Sequence, residues 1–172
     1  MFPRALAPQM VVRSPILLCH IPEWLTDRIA LLERHGVDAV SALIAQPCIH
    51  NIGVPNLVAK IGLLKFFGYP VGPSLASTPV FLLLGPPRMR DRFFVLQYHG
   101  ALVGWDRCPK NDAVALGTWV KATHEQFARL SCFRGTPYEG TSAAKHAALV
   151  ASPEFVAFAA HLTAERGAEM VS

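Results

Sequence analysis

Residues 55–68 read PNLVAKIGLLKFFG, and their pattern predicts a helix that lies in the core of the fold. Pro55 suits the first turn of a helix, because the N–H that it lacks would have no partner there. Gly68 is typical of the position just beyond a helix C-terminus. One apolar stripe at helical spacing runs between them: Leu57, Val58, Ile61, Leu64 and Phe67. This stripe is the strongest core signal in the chain.

The flanking sequence predicts a mainly α-helical fold, because proline, glycine and capping residues divide it into further apolar segments at helical spacing. We expect helices over 22–35, 37–46, 88–103 and 112–133, a loop over 134–140, and two more helices that begin at Thr141 or Ser142 and at Ser152. The segment Val80–Leu84 is apolar throughout, so its period does not separate a buried helix from a buried strand. We favour a helix there.

Length and composition favour one folded domain. The chain has 172 residues, of which 52% are hydrophobic and only 16% charged, so it has ample apolar surface to bury and does not resemble a disordered protein. Residues 1–21 contain three prolines and no lasting period, which predicts an extended arm that could hold a short β segment. We therefore expect an N-terminal arm over 1–21 and a single compact multi-helix domain over 22–172.

The cysteines and the apolar stretches indicate a cytoplasmic protein. Free thiols are expected, because the cysteines lie far apart in a chain too long to need disulfides. They are Cys19, Cys48, Cys108 and Cys132. The N-terminus lacks the pattern of a signal peptide. Prolines and glycines interrupt the two long uncharged stretches, 39–59 and 66–87, which argues against membrane spans there.

No catalytic motif is present in the sequence, so we expect a protein that is not an enzyme and that needs no cofactor. The glycines do not form a phosphate-binding or dinucleotide-binding pattern. Zinc sites are usually built from two closely spaced ligand pairs, and the nearest approach here is Cys19-His20 with Cys48-Ile49-His50. A small metal-binding or enzymatic protein that uses these cysteines and histidines remains an alternative.

The local concentration of basic residues is the best candidate for a binding surface. Arg88, Arg90 and Arg92 lie close together in the sequence, and Trp105 follows them. Arginine and tryptophan are enriched among the residues that dominate protein interfaces, so we select these four as candidate partner contacts. The net charge of +4 leaves a basic nucleic-acid-binding helical module as a further alternative, and a solvated helix face is the simplest explanation.

Three consecutive features between Leu57 and Trp105 resemble one known family. The sequence reads LVAKIGLLKFFG, then SLASTPVFLLLG, then RDRFFVLQYHGALVGW. This order is similar to that of the SctK family, the K-type cytoplasmic proteins of bacterial type III secretion systems. Members carry a Leu-Gly-Leu-rich helix, a second apolar helix and an Arg-containing helix. Here these features correspond to Ile61–Leu64, Leu75–Leu84 and Arg92–Gly104.

The resemblance implies a non-enzymatic adaptor of the cytosolic sorting platform. Such a protein links the inner-membrane ring protein SctD to the pod protein SctQ. It implies no cofactor and a cytoplasmic location, peripheral to the inner membrane through the secretion apparatus. The family often has a His-Gly pair and two arginines after the first helix, whereas this chain has Phe66-Phe67-Gly68-Tyr69-Pro70.

Overall fold

The described part of the chain is α-helical, as the sequence predicts. The computed structural model describes residues 12, 22–101 and 116–171, and the side chains of residues 12, 25–101 and 116–165. These ranges contain nine α-helices and no β-strand. The helices are α1 (Pro22–Arg34), α2 (Ala39–Ala45), α3 (Val54–Phe66), α4 (Val71–Ser77), α5 (Pro86–Tyr98), α6 (Leu116–Lys121), α7 (His124–Ala128), α8 (Ala143–Val150) and α9 (Pro153–Val171). Short 3-10 helices cover Pro47–Asn51, Pro79–Leu83 and Ser131–Phe133.

These helices form two compact units. Among the described residues, the first unit contains 22–65 and 69–86, and the second contains 66–68, 87–101 and 116–171. That residues 22–172 fold as one domain stays a prediction. The predicted N-terminal arm over 1–21 lies outside the described residues, apart from Val12, which is 81% exposed.

The core of the first unit is built on α3, where the sequence predicts it. Leu57, Ile61 and Leu64 are buried, whereas Val58 is 50% exposed and does not belong to the stripe. The buried face instead includes Lys60, whose Nζ donates a hydrogen bond to the carbonyl oxygen of Leu82. Burial lowers the pKa of Lys60. A lysine among apolar residues was not predicted, because lysine is usually exposed.

A close approach of two backbone segments also holds the first unit together. Gly36 follows α1 with φ at +71°, a conformation that favours glycine. Gly72, near the start of α4, lies so close to this turn that a Cβ atom on it would be 2.4 Å from the Gly36 carbonyl oxygen. Gly72 is therefore required to let α4 pack against the end of α1.

The apolar segment Val80–Leu84 forms a helix and not a strand, but the helix is of the 3-10 type and not an α-helix. Most of it belongs to the 3-10 helix Pro79–Leu83, which starts directly after α4 ends. The amide of Thr78 bonds to the Ser74 carbonyl oxygen at 2.9 Å and closes α4. Pro79 then begins the tighter turn, since it needs no amide partner at a helix start. Phe81 and Leu82 are both buried by this turn.

In the second unit, α5 ends earlier than predicted. We expected the helix to continue through Val103, but it ends at Tyr98. Gly100 adopts φ at +66°, and its amide bonds to the Gln97 carbonyl oxygen at 2.9 Å. The amide of Ala101 bonds to the Leu96 carbonyl oxygen at 2.8 Å, which completes a Schellman ending. Gly100, and not Gly104, is the terminating glycine.

The long helix predicted over 112–133 is wrong where the structure describes it. Two short helices, α6 and α7, and a 3-10 helix replace it, while residues 112–115 lie outside the described residues. The break occurs at Thr123, which forms a capping box with Gln126 at the start of α7. The loop over 134–140 and the N-terminal caps at Ser142 and Ser152 are confirmed.

Aromatic side chains fill the core of the second unit. Phe67 stacks on Phe93 with ring centres 4.0 Å apart, and Trp119 contacts Phe67 edge-on at 6.1 Å. A second cluster joins Phe133 to Tyr138 at 4.6 Å and to Phe127 at 5.4 Å. These contacts fix the helices α5, α6 and α7 whose surface residues form the candidate sites.

Candidate functional site

The arginines of α5 lie on two different faces of the helix. Arg88 and Arg92, one turn apart, line one open cleft, whereas Arg90 lines a separate groove. Trp105, the fourth predicted contact, lies outside the described residues. Of the predicted contacts that the structure describes, Arg88 and Arg92 lie together and Arg90 lies apart from them.

Arg92 has a structural role within the second unit. Its side chain is 4% exposed, and its Nη1 donates to the carbonyl oxygens of Trp119 at 2.8 Å and Ala122 at 2.9 Å. These carbonyls lie at the end of α6, where the helix dipole favours a cation. The guanidinium also lies 4.8 Å from the centre of the Phe127 ring. Burial is the main cause that lowers the pKa of Arg92 to about 10, so it stays charged at neutral pH. Arg92 thus has contacts inside its own unit, and its role as a partner contact stays a prediction.

An open cleft of about 600 Å³ lies beside this arginine, and we call it the Arg–His cleft. Its lining residues are Arg88, Asp91, Arg92, Thr123, His124 and His146. Arg88 is exposed, and its Nη2 donates to the Ala122 carbonyl oxygen at 3.1 Å. Burial raises the pKa of the Asp91 carboxyl group. The cleft thus combines two guanidinium groups with one carboxyl group.

Two histidines from different helices meet in the Arg–His cleft, with ring centres 4.9 Å apart. His124 Nε2 lies 3.0 Å from the carbonyl oxygen of Thr141. A carbonyl oxygen only accepts, so His124 Nε2 carries the proton. His146 Nδ1 lies 2.6 Å from the Tyr138 hydroxyl oxygen. Burial raises the pKa of Tyr138, so its hydroxyl donates and His146 Nδ1 accepts.

The protonation of His146 follows from its surroundings. Burial is the largest cause that lowers its pKa to about 4, and the nearby His124 and Arg92 lower it further. The ring is therefore neutral at pH 7. Because Nδ1 accepts from Tyr138, the proton of the neutral ring sits on Nε2, which makes Nε2 a hydrogen-bond donor at the cleft.

A second concave surface, the α5–α9 groove, has a volume of about 540 Å³. Its lining includes Arg90, Phe94, Val150, Phe155, Val156 and Ala159. The Tyr98 ring holds the two helices together, since it lies 5.5 Å from the ring of Phe155 and 5.1 Å from that of Phe158. Phe94 and Phe155 are buried, whereas Val156 is 54% exposed. The groove therefore has an aromatic floor and an open aliphatic wall, with the exposed Arg90 at its edge.

Helices α8 and α9 leave much apolar surface uncovered. No residue of α8 is buried, and over 153–165 of α9 only Phe155 is. Within the described ranges, no single helix is long and apolar enough to cross a membrane. The segments Ala143–Val150 and Pro153–Glu165 pass that test only as a pair, and the chain bends by 61° between them.

No known protein family, curated protein or solved structure matches the chain. The candidate sites are therefore interpreted from their own geometry.

The cysteines and histidines singled out in the sequence do not form a metal-binding cluster in the described residues. No group of three or more potential ligands lies together there. Cys48 is exposed, and Cys132 is half-buried in surroundings that raise its pKa. Cys19 and Cys108 lie outside the described residues, so the sequence alternative that uses them stays a prediction.

Sequence reasoning missed both histidines of the Arg–His cleft and its tyrosine. Tyr138 lies in a loop, His146 in α8 and His124 at the start of α7. These three residues lie far apart in the sequence and match no motif. The turns between the short helices bring them together in the fold. The one signal available in the sequence was His124, which directly follows the capping residue Thr123.

Proposed function

We propose that this chain is a non-enzymatic adaptor of a type III secretion sorting platform, which links the inner-membrane ring protein SctD to the pod protein SctQ. The adaptor works in the cytoplasm and reaches the inner membrane through the secretion apparatus. The family resemblance gives the system and the partners. The observation that supports an adaptor is the open α5–α9 groove, an apolar surface of the kind that binds another protein.

The shape and chemistry of the groove favour an amphipathic helix from the partner. An apolar helix face would cover Val156 and Ala159, while the buried rings of Phe94 and Phe155 form a firm floor. Arg90 is exposed at the edge and makes no salt bridge within the described residues. We therefore expect an acidic residue of the partner helix to lie next to Arg90. The net charge of +4 also favours an acidic partner.

The titratable residues of the second unit support binding more than catalysis. A general base works best with a pKa near the working pH, and the pKa of His146 is only about 4. Burial raises the pKa of Tyr138, which makes its hydroxyl group a poor nucleophile at neutral pH. The hydrogen bond between these two residues thus supports a role in holding α8 against the loop over 134–140.

Co-expression of the tagged chain with SctQ and with the cytosolic domain of SctD, followed by pull-down and size-exclusion chromatography, tests this proposal. We expect a stable complex with at least one partner. Val156→Glu should abolish capture through the groove, because it places a charge on the apolar wall. Val58→Glu is the matched control, since Val58 on α3 is 50% exposed and Val156 is 54% exposed. Capture should survive that change.

Three outcomes would contradict the adaptor. The first is the absence of a complex with either partner when circular dichroism shows folded protein. The second is stoichiometric zinc or iron in the purified chain, which would favour the metal-binding alternative. The third is strong, salt-dependent retention on DNA, which would favour the nucleic-acid-binding alternative. Equal capture of the two glutamate variants would remove the groove as the contact surface.

A further inference from the structure

We propose that the Arg–His cleft is a binding site for an oxyanion, either a phosphate or a carboxylate group, held by Arg88, Arg92 and His146. This site shares only Asp91 with the lining of the α5–α9 groove and does not rest on the adaptor function. It rests on free hydrogen-bond donors, on an unbalanced positive charge and on a cavity large enough for a small anion.

Arg92 supplies the most firmly positioned donors. Its contacts to Trp119 and Ala122 use Nη1 and hold the guanidinium plane in place. Nε and Nη2 have no hydrogen-bond partner among the described residues. Neither atom is fully buried, so both are partly accessible to solvent. Because Arg92 lines the cleft, we assign these two nitrogens as its donors toward the open space. Two N–H groups on one edge of a guanidinium match the two oxygens of a carboxylate or phosphate.

Arg88 and His146 add donors around the same space. Arg88 lies one helical turn before Arg92, and only its Nη2 bonds to protein, at the Ala122 carbonyl oxygen. His146 presents its Nε2 hydrogen at the cleft, because Nδ1 accepts from Tyr138. An oxyanion in the cleft would thus find donors on three side chains.

The charge of the cleft favours an anion. Neither Arg88 nor Arg92 forms a salt bridge with a carboxylate within the described residues. After burial, which is the largest cause, the charge of Arg92 contributes to the lowered pKa of His146, so this ring already lies near a positive charge. Asp91 lies on the same wall, and its carboxyl group opposes anion binding. Two fixed positive charges against one carboxyl group leave the balance positive.

The test titrates inorganic phosphate, and separately glutarate, into the purified full chain at constant ionic strength, with binding followed by the NMR signals of the histidine rings. Saturable binding should raise the pKa of His146 from about 4, because a nearby anion favours the protonated ring. Arg88→Gln should weaken binding about tenfold, since it removes a charge-assisted contact. Arg90→Gln is the matched control on another face of α5 and should leave affinity unchanged.

Asp91→Asn tests the contribution of the one carboxyl group that lines the cleft. It should tighten binding by several-fold, because it removes the like charge from the cleft wall. If phosphate binds and glutarate does not, the physiological ligand carries a phosphate group. If glutarate binds and phosphate does not, the ligand carries a carboxylate group, such as an acidic side chain. Either result supports the site.

Two results would overturn it. One is the absence of saturable binding by both anions to folded protein. The other is an equal loss of affinity in Arg88→Gln and Arg90→Gln, which would show that only the overall charge matters. Circular dichroism of each variant confirms that it is folded, and Arg88 is suitable for substitution because its side chain is exposed.

Discussion

Replacing Arg92 with methionine should destabilise the protein strongly, because two carbonyl groups at the end of α6 would lose their hydrogen-bond donor. The bonds to Trp119 at 2.8 Å and Ala122 at 2.9 Å are of normal length, whereas the third, to Val120 at 3.5 Å, is too long to count. Two hydrogen bonds from a charged donor contribute about 3–6 kcal/mol. The contact with the Phe127 ring adds about 1 kcal/mol.

The cost of burying the guanidinium offsets part of this gain. The same burial lowers the pKa of Arg92 to about 10, and that shift corresponds to about 1–3 kcal/mol after a discount for partial solvent screening. The net loss of unfolding free energy in Arg92→Met should therefore be about 1–6 kcal/mol. Urea unfolding followed by far-UV circular dichroism measures it.

Arg88→Met is the matched control for this prediction. Arg88 is exposed and makes one bond of 3.1 Å to Ala122, so its loss should cost at most about 1 kcal/mol. Equal destabilisation by the two variants, or an unchanged unfolding midpoint in Arg92→Met, would refute the structural role of Arg92.

Two further predictions concern packing and pH. Gly72→Ala should lower the free energy of unfolding by about 1–3 kcal/mol, because its Cβ would lie 2.4 Å from the Gly36 carbonyl oxygen. Gly62→Ala should raise the free energy of unfolding by about 0.5–1 kcal/mol, because no atom lies within 4 Å of its Cβ position in the helix. Thermal unfolding measures both. Acid should also destabilise the protein. His146 binds a proton below pH 6.5 in the unfolded state but only near pH 4 in the folded state, so the unfolding free energy should fall as the pH decreases from 6.5 to 4. The fall should be less steep in His146→Gln, which lacks this group. The packing prediction would be contradicted if Gly62→Ala lowered the unfolding free energy as much as Gly72→Ala. The pH prediction would be contradicted if wild type and His146→Gln lost unfolding free energy equally with decreasing pH.

Local signals in the sequence predicted the helical class and most helix starts. The apolar stripe of α3 and the serine caps of α8 and α9 depend on neighbouring residues only, so the sequence contains the needed information. Gly36 similarly marks the end of α1.

Tertiary contacts decided the features that the sequence did not predict. The break between α6 and α7 is stabilised by Arg92, which donates to the carbonyls that a continuous helix would use. Helical period places Arg88 and Arg92 on one face of α5, but it does not show that the Arg92 side chain is buried while the Arg88 side chain is exposed. Arginine is usually exposed, so a contact role was the natural expectation for Arg92.

Hydrogen exchange of the chain with and without SctQ, or the cytosolic domain of SctD, tests the adaptor proposal most directly. We predict slower exchange on partner binding at the backbone amides of Pro153–Glu165 in α9 and of α5 around Arg90, with no change in α3 around Val58. A complex that protects α3 and leaves α9 unchanged would contradict the groove as the contact surface, and no protection at any amide with either partner would contradict the adaptor function itself.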